Sequence, residues 1–198
     1  MYPPNPRLDW GPSTYDVRQA AVIHGLWELP VGRGHGTGSK LLSGWTLSGI
    51  ATIQSGFPFT PQLGYNPSND GDSRDPVRPS WNPAFQGPVI EGNPNQYFNP
   101  AAFAEPASGT YGNVGRDTLV GPGIRTIDLS AVKNTAISER LKLQFRTEVF
   151  NVANHANFAT PNPVVFSSAS AAPSSTAGLI TATSTASRQI QFGLKAVW

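Results

Sequence analysis

The chain has 198 residues, which is enough for one domain with a sizeable core. Its 20 Gly and 19 Pro interrupt the sequence too often for a helical bundle. Only 13% of the residues are charged and the formal net charge is +2, so the composition argues against a nucleic-acid-binding protein. Because the chain has no cysteine, disulfides, thiolate catalysis and zinc-thiolate sites are excluded.

The first residues lack the basic and apolar regions of a secretory signal peptide. No stretch approaches the roughly 18 consecutive apolar residues that a membrane helix needs. We therefore expect strands to make any contact with a bilayer. We also expect the chain either to remain unexported or to be a piece of a longer protein.

Five segments alternate apolar and polar residues with the period of two that is typical of strands. The clearest alternation runs through the nine residues from Leu141 to Val149. A helix with Leu141, Phe145 and Val149 on one face is the competing interpretation, since Lys, Glu and Gln favour helices. Strict alternation favours a strand. The predicted strands lie near residues 15–29, 41–59, 124–134, 141–152 and 187–198.

The connections between these strands alternate in length, at about 11, 63, 7 and 36 residues. In an up-and-down meander every second connection lies at the same end of the sheet, so the long loops 60–122 and 153–186 share one end. Outer-membrane barrels have this asymmetry, with long extracellular loops and short periplasmic turns. The sequence therefore predicts an all-β fold: an antiparallel up-and-down meander of about five long strands, forming the C-terminal part of a transmembrane β-barrel.

Five strands do not close a barrel, because bacterial barrels begin at eight. We therefore expect the 198 residues to form a partial barrel whose plug domain and N-terminal strands are absent. The remaining barrel strands and the plug of a parent chain are then its expected partners, together with outer-membrane lipid.

The alternation predicts a polar face toward the lumen and an apolar face toward lipid. The residues predicted to face the lumen are Arg18, His24, Glu28, Asp128, Lys142, Arg146 and Glu148. The apolar belt predicted to face lipid includes Ile23, Leu47, Leu129, Leu143, Phe145, Phe192 and Leu194. An aromatic girdle near the membrane surface is predicted at Trp27, Trp45, Phe57, Phe59 and Trp198.

The last predicted strand ends on an aromatic residue in the middle of its alternating pattern. Soluble domains usually end in a few polar residues, so an ordinary terminal strand of a β-sandwich is the less favoured interpretation. The tail resembles the C-terminal assembly signal of bacterial outer-membrane β-barrel proteins. The matching positions are Gln191, Gly193, Ala196 and Trp198.

A short acidic segment in the first long loop has the spacing to bind a hard cation. Asp70, Asp72 and Asp75 bring three carboxylates close together along the chain, which suggests a calcium site. The glycine and the terminal glutamate of an EF-hand are missing, so the alternative is a solvated turn rich in Asx residues.

Catalytic patterns are missing from the sequence. The histidines His24, His35 and His155 have no metal-ligand spacing, and Ser48-Gly49 lacks the context of a nucleophile elbow. The glycine-rich segment 30–40 lacks the spacing of a phosphate-binding loop. We therefore expect a protein that is not an enzyme and has no cofactor other than calcium.

Several motifs occur in the order found in a known family. They are GWTLSGIATIQSGFPFT, FNPAAF, YGNVGRDTLVGPGIRTIDLSAVKN and SERLKLQFRTEVFNVANHANF. From about Val17 to Trp198 the sequence resembles the C-terminal barrel region of TonB-dependent outer-membrane receptors, of the Oar-like branch that contains a carboxypeptidase-regulatory-like domain.

This resemblance implies a 22-stranded barrel with an internal plug, which takes up a bulky substrate using energy from the TonB complex. It also implies the outer membrane of a Gram-negative bacterium. The sequence shows neither a plug nor a TonB box, so we expect a barrel-wall segment that is not competent for transport alone and that meets TonB only through missing parts.

A soluble or secreted β-rich binding or structural module is the alternative function. Such a module associates through exposed strand edges. The two interpretations differ in the apolar belt, because the module buries it in a sandwich core and the barrel leaves it exposed to lipid.

Overall fold

The computed structural model describes residues 6–32, 42–71, 77–169 and 172–198. Its architecture is all-β, which confirms the predicted fold class. Short 3-10 helices span Pro6–Asp9 and Pro100–Ala102. The strands, numbered in chain order, are β1 (Ala20–Glu28), β2 (Trp45–Gln54), β3 (Pro58–Phe59), β4 (Gln62–Leu63), β5 (Ser80–Trp81), β6 (Ile90–Asn93), β7 (Gln96–Phe98), β8 (Phe103–Ala104), β9 (Leu119–Val120), β10 (Ile124–Ala136), β11 (Lys142–Phe150), β12 (Val164–Phe166) and β13 (Gln189–Val197).

The five long strands form one antiparallel sheet in the order β1-β2-β10-β11-β13. This order follows the chain, so the sheet is a meander. Gln54 lies opposite both Ala20 and Ile124, and Phe150 lies opposite Gln189. The two long connections therefore leave and re-enter the sheet at one end, while the short turns lie at the other end.

The chain divides into two compact units. One contains the five-stranded sheet and comprises described residues of Gln19–Gln54, Ile124–Asn157 and Thr185–Trp198. The other, which we call the loop unit, comprises described residues of Met1–Arg18, Ser55–Gly123 and Phe158–Ser184. Most of both long connections therefore belongs to the loop unit, which has its own packing.

The hydrophobic core of the described residues lies in the loop unit and not in the sheet. Phe98 is fully buried, and its ring centroid lies 6.0 Å from that of Phe59 and 5.8 Å from that of Phe103. Short strand pairs tie the segments together, including the parallel pair of β4 with β12. The core residues are Phe59, Leu63, Val77, Phe98, Ala102, Phe103, Val114, Leu119, Val165, Phe166 and Ala177.

The second strand is shorter than predicted, so two aromatic residues that were predicted to lie in it are outside the sheet. β2 ends at Gln54, and Pro58 and Phe59 instead pair with Val120 and Leu119. The chain approaches itself closely here, because a Cβ on Gly56 would overlap the Gly121 carbonyl oxygen. Phe59 is only 6% exposed and belongs to the core, so its assignment to a lipid-facing girdle is wrong. Phe57 also lies outside the sheet, in the loop unit.

The first strand begins later than the alternation predicts. β1 starts at Ala20, and Arg18 lies before it in the loop unit, where its Nε is 3.8 Å from an oxygen of Asp16. Arg18 is therefore not part of the polar face of the sheet, and its predicted place on that face is wrong.

The packing of the loop unit predicts a large loss of stability for Phe98→Ala. Removing a fully buried phenylalanine leaves a cavity between Phe59 and Phe103, so the free energy of unfolding should fall by about 3–5 kcal/mol. Urea unfolding of the full chain, followed by tryptophan fluorescence, measures this loss.

The matched control is Tyr15→Ala, since Tyr15 is an aromatic residue of the same unit that is 84% exposed. It should change the unfolding free energy by less than about 0.5 kcal/mol. Equal effects of the two substitutions would contradict a packed core in the long loops.

Candidate functional site

The register of the sheet separates its side chains into two faces. Leu47 of β2 pairs with Trp27 of β1 on one side and with Ala131 of β10 on the other. Because side chains of directly paired residues point to the same face, these three share one face of the sheet. The apolar face defined in this way contains Ala21, Ile23, Trp27, Trp45, Leu47, Ala51, Ile53, Ile127, Leu129, Ala131, Leu143, Phe145, Val149, Ile190, Phe192, Leu194 and Ala196.

The apolar face is exposed, as the barrel interpretation predicts. Ile23, Phe192 and Leu194 are 68%, 70% and 73% exposed, so no sandwich partner covers them within the described residues. From Ile190 to Trp198 the strand rises about 27 Å, which becomes about 20 Å across a membrane at a tilt near 40°. This is close to the apolar band of outer-membrane barrels, about 25 Å tall.

Aromatic residues and a lysine mark the short-turn end of the apolar face. Trp27 and Trp45 lie near this end on neighbouring strands. The Lys133 ammonium donates a hydrogen bond to the Ser43 carbonyl and lies 5.7 Å from the ring centroid of Trp45. Trp198, which follows β13, is 92% exposed. The girdle role of these three tryptophans stays a prediction.

The opposite face of the sheet carries the polar side chains. Arg146 Nη1 lies 3.5 Å from Glu148 Oε1, and Gln191 donates a hydrogen bond to the other oxygen of Glu148. Together with Gln144 and Lys195 these residues line a basin of about 410 Å³. Six of the seven residues predicted to face a lumen share this face, and they are His24, Glu28, Asp128, Lys142, Arg146 and Glu148.

Part of this second face is apolar, as the alternation along the first strand predicts for Val22 and Leu26. Val22, Leu26 and Ile50 lie on the same face as His24 and are all exposed. The sheet is therefore apolar on both sides along β1. The signal was present, since the run from Ala20 to Trp27 is apolar at nearly every position.

Three asparagines at the long-loop end of the sheet form a cluster that we call the asparagine clasp, Asn151, Asn154 and Asn157. Asn151 is 4% exposed, and its amide nitrogen donates to the carbonyls of His155 and Ala186. Its backbone has a φ of 49°, a left-handed conformation that asparagine tolerates, and this ends β11.

The other two asparagines fix the backbones of neighbouring strands. Asn157 is 1% exposed, and its side-chain oxygen accepts a hydrogen bond of 2.7 Å from the Arg125 N–H at the start of β10. The Asn154 oxygen accepts a bond of 3.0 Å from the Arg188 N–H just before β13. The clasp therefore joins β10, β11 and β13. These three asparagines were not among the predicted site residues, although their spacing of three is visible in the sequence.

The clasp predicts that Asn157→Ala destabilises the protein. The substitution removes the part-buried hydrogen bond that the Arg125 N–H donates to Asn157, which should lower the unfolding free energy by about 0.5–1.5 kcal/mol. Urea unfolding measures this effect. His155→Ala is the control, because the clasp uses only the backbone of that residue, and a comparable loss for this variant would contradict the assignment.

The proposed calcium segment is only partly visible. Asp72 and Asp75 lie outside the described residues. Asp70 accepts hydrogen bonds from the Asn66 amide at 2.8 Å and from the Tyr111 hydroxyl at 2.5 Å. Among the described residues no group of three His, Asp or Glu side chains is arranged to hold a metal. The calcium site stays a prediction.

Two tyrosines of the loop unit have perturbed ionisation. Burial, followed by the charge of Glu105 and a hydrogen bond with its carboxylate, raises the pKa of Tyr65 above its usual value. Burial also raises the pKa of Tyr97, whose hydroxyl donates to the Val120 carbonyl at 3.1 Å. The folded protein therefore holds both phenolic protons more tightly than the unfolded chain.

We expect the chain to lose stability in alkali. The contribution of the two tyrosines is fully present below their unfolded pKa, near 10, and is lost as the pH rises through the higher folded values. Unfolding free energies measured from pH 8 to 11 should fall less steeply for Tyr97→Phe than for the unchanged chain. Tyr15→Phe serves as the exposed control, and an unchanged slope for Tyr97→Phe would contradict the expectation.

The proposed assembly signal lies on an edge of the sheet. Gln191 pairs with Glu148 and Gly193 with Arg146, while the other side of β13 has no neighbour among the described strands. Ala196 and Trp198 continue along the same strand. The geometry places the four positions together, and their role in assembly stays a prediction.

A polar face, an exposed apolar face and a meander topology together define a membrane-type β-sheet. Within the described ranges no helix has the length and apolar character to cross a bilayer. A family model described as an outer membrane beta barrel domain matches residues 1–191. The chain therefore belongs to this family, and its location is the outer membrane. Neither a curated protein nor a solved structure matches the chain.

Proposed function

We propose that the chain is a barrel-wall segment of a TonB-dependent outer-membrane receptor that takes up a bulky substrate, and that it does not transport alone. The observation that carries the proposal is a five-stranded sheet with one mainly polar face, one apolar face and two edges that have no neighbour among the described strands. The motif resemblance favours the TonB-dependent class among outer-membrane barrels. The proposal assigns no catalytic step to the chain.

The odd number of strands in the sheet indicates that strands from a different polypeptide segment are needed to close a barrel. Because the sheet has five antiparallel strands, β1 and β13 run in the same direction. Copies arranged in a ring would therefore pair β13 with the next β1 in parallel, whereas bacterial barrels are antiparallel with an even number of strands. An odd number of additional strands satisfies both edges. This argues against a ring of identical copies in one membrane orientation, and the exposed apolar face of the described sheet disfavours the soluble module.

The polar face supports an interior that is filled rather than empty. Arg146, Lys195 and Gln144 surround a basin, and Val22 and Leu26 expose apolar surface on the same face. A water-filled lumen would solvate the polar residues around the basin, but it would leave the side chains of Val22 and Leu26 exposed to water. A plug domain with its own polar and apolar surface suits both.

The absence of cysteine allows a direct test of the two faces. Leu194 and Lys195 are neighbours on β13 with side chains on opposite faces. In lipid vesicles, Lys195→Cys should react with a water-soluble maleimide at least tenfold faster than Leu194→Cys, because hydrocarbon excludes the reagent from the apolar face. Equal rates for the matched pair would contradict the wall assignment.

A second measurement tests the receptor role with Arg146→Cys. In outer membranes of cells that make the protein, a plug should shield this position, so labelling should be slower than in vesicles of the 198-residue chain alone. The same chain in planar bilayers should give no stepwise conductance, because five strands do not close a pore. Unshielded labelling in cells, or discrete channels from the chain alone, would overturn the proposal.

A further inference from the structure

Two arginines mark the long-loop end of the apolar face. Arg125 lies opposite Ile53 and two residues before Ile127, so its side chain belongs to the apolar face. Arg188 lies two residues before Ile190, at the same spacing along the edge strand. Both residues are exposed. Among the described residues neither guanidinium has a carboxylate within ion-pair distance.

The asparagine clasp holds the backbones of both arginines. Asn157 accepts from the Arg125 N–H and Asn154 from the Arg188 N–H, as described above. Arg188 Nη1 also donates a weak hydrogen bond of 3.4 Å to the Val152 carbonyl, inside the same turn. The clasp therefore sets the backbone positions of the two arginines, through the buried Asn157 at Arg125 and the exposed Asn154 at Arg188.

The sheet register places the two arginines within reach of one headgroup. One step beyond the pair Phe150–Gln189, Arg188 is level with Asn151. Arg125 lies one alternation further along the sheet and two strands away, so ideal strand spacings set the two Cα atoms about 12 Å apart. Two extended side chains span this distance around a single phosphorylated group.

We propose that Arg125 and Arg188 bind phosphate groups of the glycolipid in the outer leaflet of the outer membrane. This inference rests on the proposed function, because the long loops of a barrel wall emerge on the outer side. The planar guanidinium groups offer paired N–H donors that match phosphate oxygens. The apolar face continues directly beneath them, so the acyl chains of the same lipid contact residues such as Ile127 and Ile190.

The other end of the apolar face differs in chemistry. Its cation, Lys133, lies over the Trp45 ring and donates to the Ser43 carbonyl. In the proposed orientation this short-turn end lies at the inner surface of the membrane. The Lys133 ammonium also lacks the planar pair of N–H donors that a guanidinium offers to phosphate. Lys133 therefore provides a control with a single positive charge, on the same face but at the opposite end of the sheet.

The test titrates diphosphoryl lipid A into the full chain folded in dodecyl maltoside micelles, and follows the thermal midpoint of the β-type circular dichroism signal. We expect saturable stabilisation of the unchanged chain. Arg125→Gln combined with Arg188→Gln should weaken the apparent affinity about thirtyfold, whereas Lys133→Gln should leave it unchanged. Combined Arg→Lys replacements should retain part of the affinity, since they keep charge but lose the paired donors.

Two further lipids, tested with the unchanged chain, show whether binding depends on the phosphate groups and whether any anionic lipid is sufficient. Dephosphorylated lipid A should not stabilise it, and this comparison holds even if the double variant fails to fold. Phosphatidylglycerol should bind more weakly than lipid A. Equal stabilisation by either lipid, or an equal loss of affinity in Lys133→Gln, overturns the inference. Absence of β-structure in micelles overturns the wall-segment proposal and this inference with it, whereas β-structure without lipid A binding overturns this inference alone.

Discussion

Backbone hydrogen bonding at the two edges of the sheet is the constraint on which this structure depends. In hydrocarbon an unpaired N–H or C=O costs several kcal/mol, so a sheet in a bilayer needs a neighbour for every strand. β1 and β13 each have one described neighbour and run in the same direction. Copies of the chain in a common orientation do not satisfy both edges with antiparallel pairs. The odd strand count of the described sheet therefore supports the proposal that further strands complete the barrel.

Burial in this protein is the reverse of that in a soluble β-sandwich. The sheet exposes its large apolar side chains, among them Phe192 and Leu194, and the packed core lies in the long connections around Phe98. A membrane-type sheet obtains its apolar contacts from lipid. The loop unit obtains them from its own segments, through short strand pairs and aromatic packing. Long loops with a core of this kind present a defined surface instead of a set of independent flexible segments.

The asparagine clasp connects the fold to its proposed place in the membrane. Asn151, Asn154 and Asn157 end β11 and hold the ends of β10 and β13. They lie where the apolar face gives way to charged residues, so the hydrogen bonds that fix the register also position Arg125 and Arg188. On the other face, Arg146 and Glu148 pair beside an open basin, which suits contact with a filled barrel interior. Each face thus has chemistry suited to a different neighbour.

The five long strands and their two faces could be predicted from the sequence alone, because alternation with a period of two depends only on local backbone geometry. Strict alternation through Leu143 and Phe145, for example, gave the correct face for both. The core of the loop unit was decided by tertiary structure, since Phe59, Phe98 and Val165 come from distant segments without a common period. Phe59 and Arg18 were assigned wrongly for a related reason. The alternating pattern of the sequence extends past the ends of β2 and β1, whereas the strands of the sheet end at Gln54 and begin at Ala20. The clasp likewise required three strands to meet, and no local pattern specifies which N–H groups three asparagines will bind.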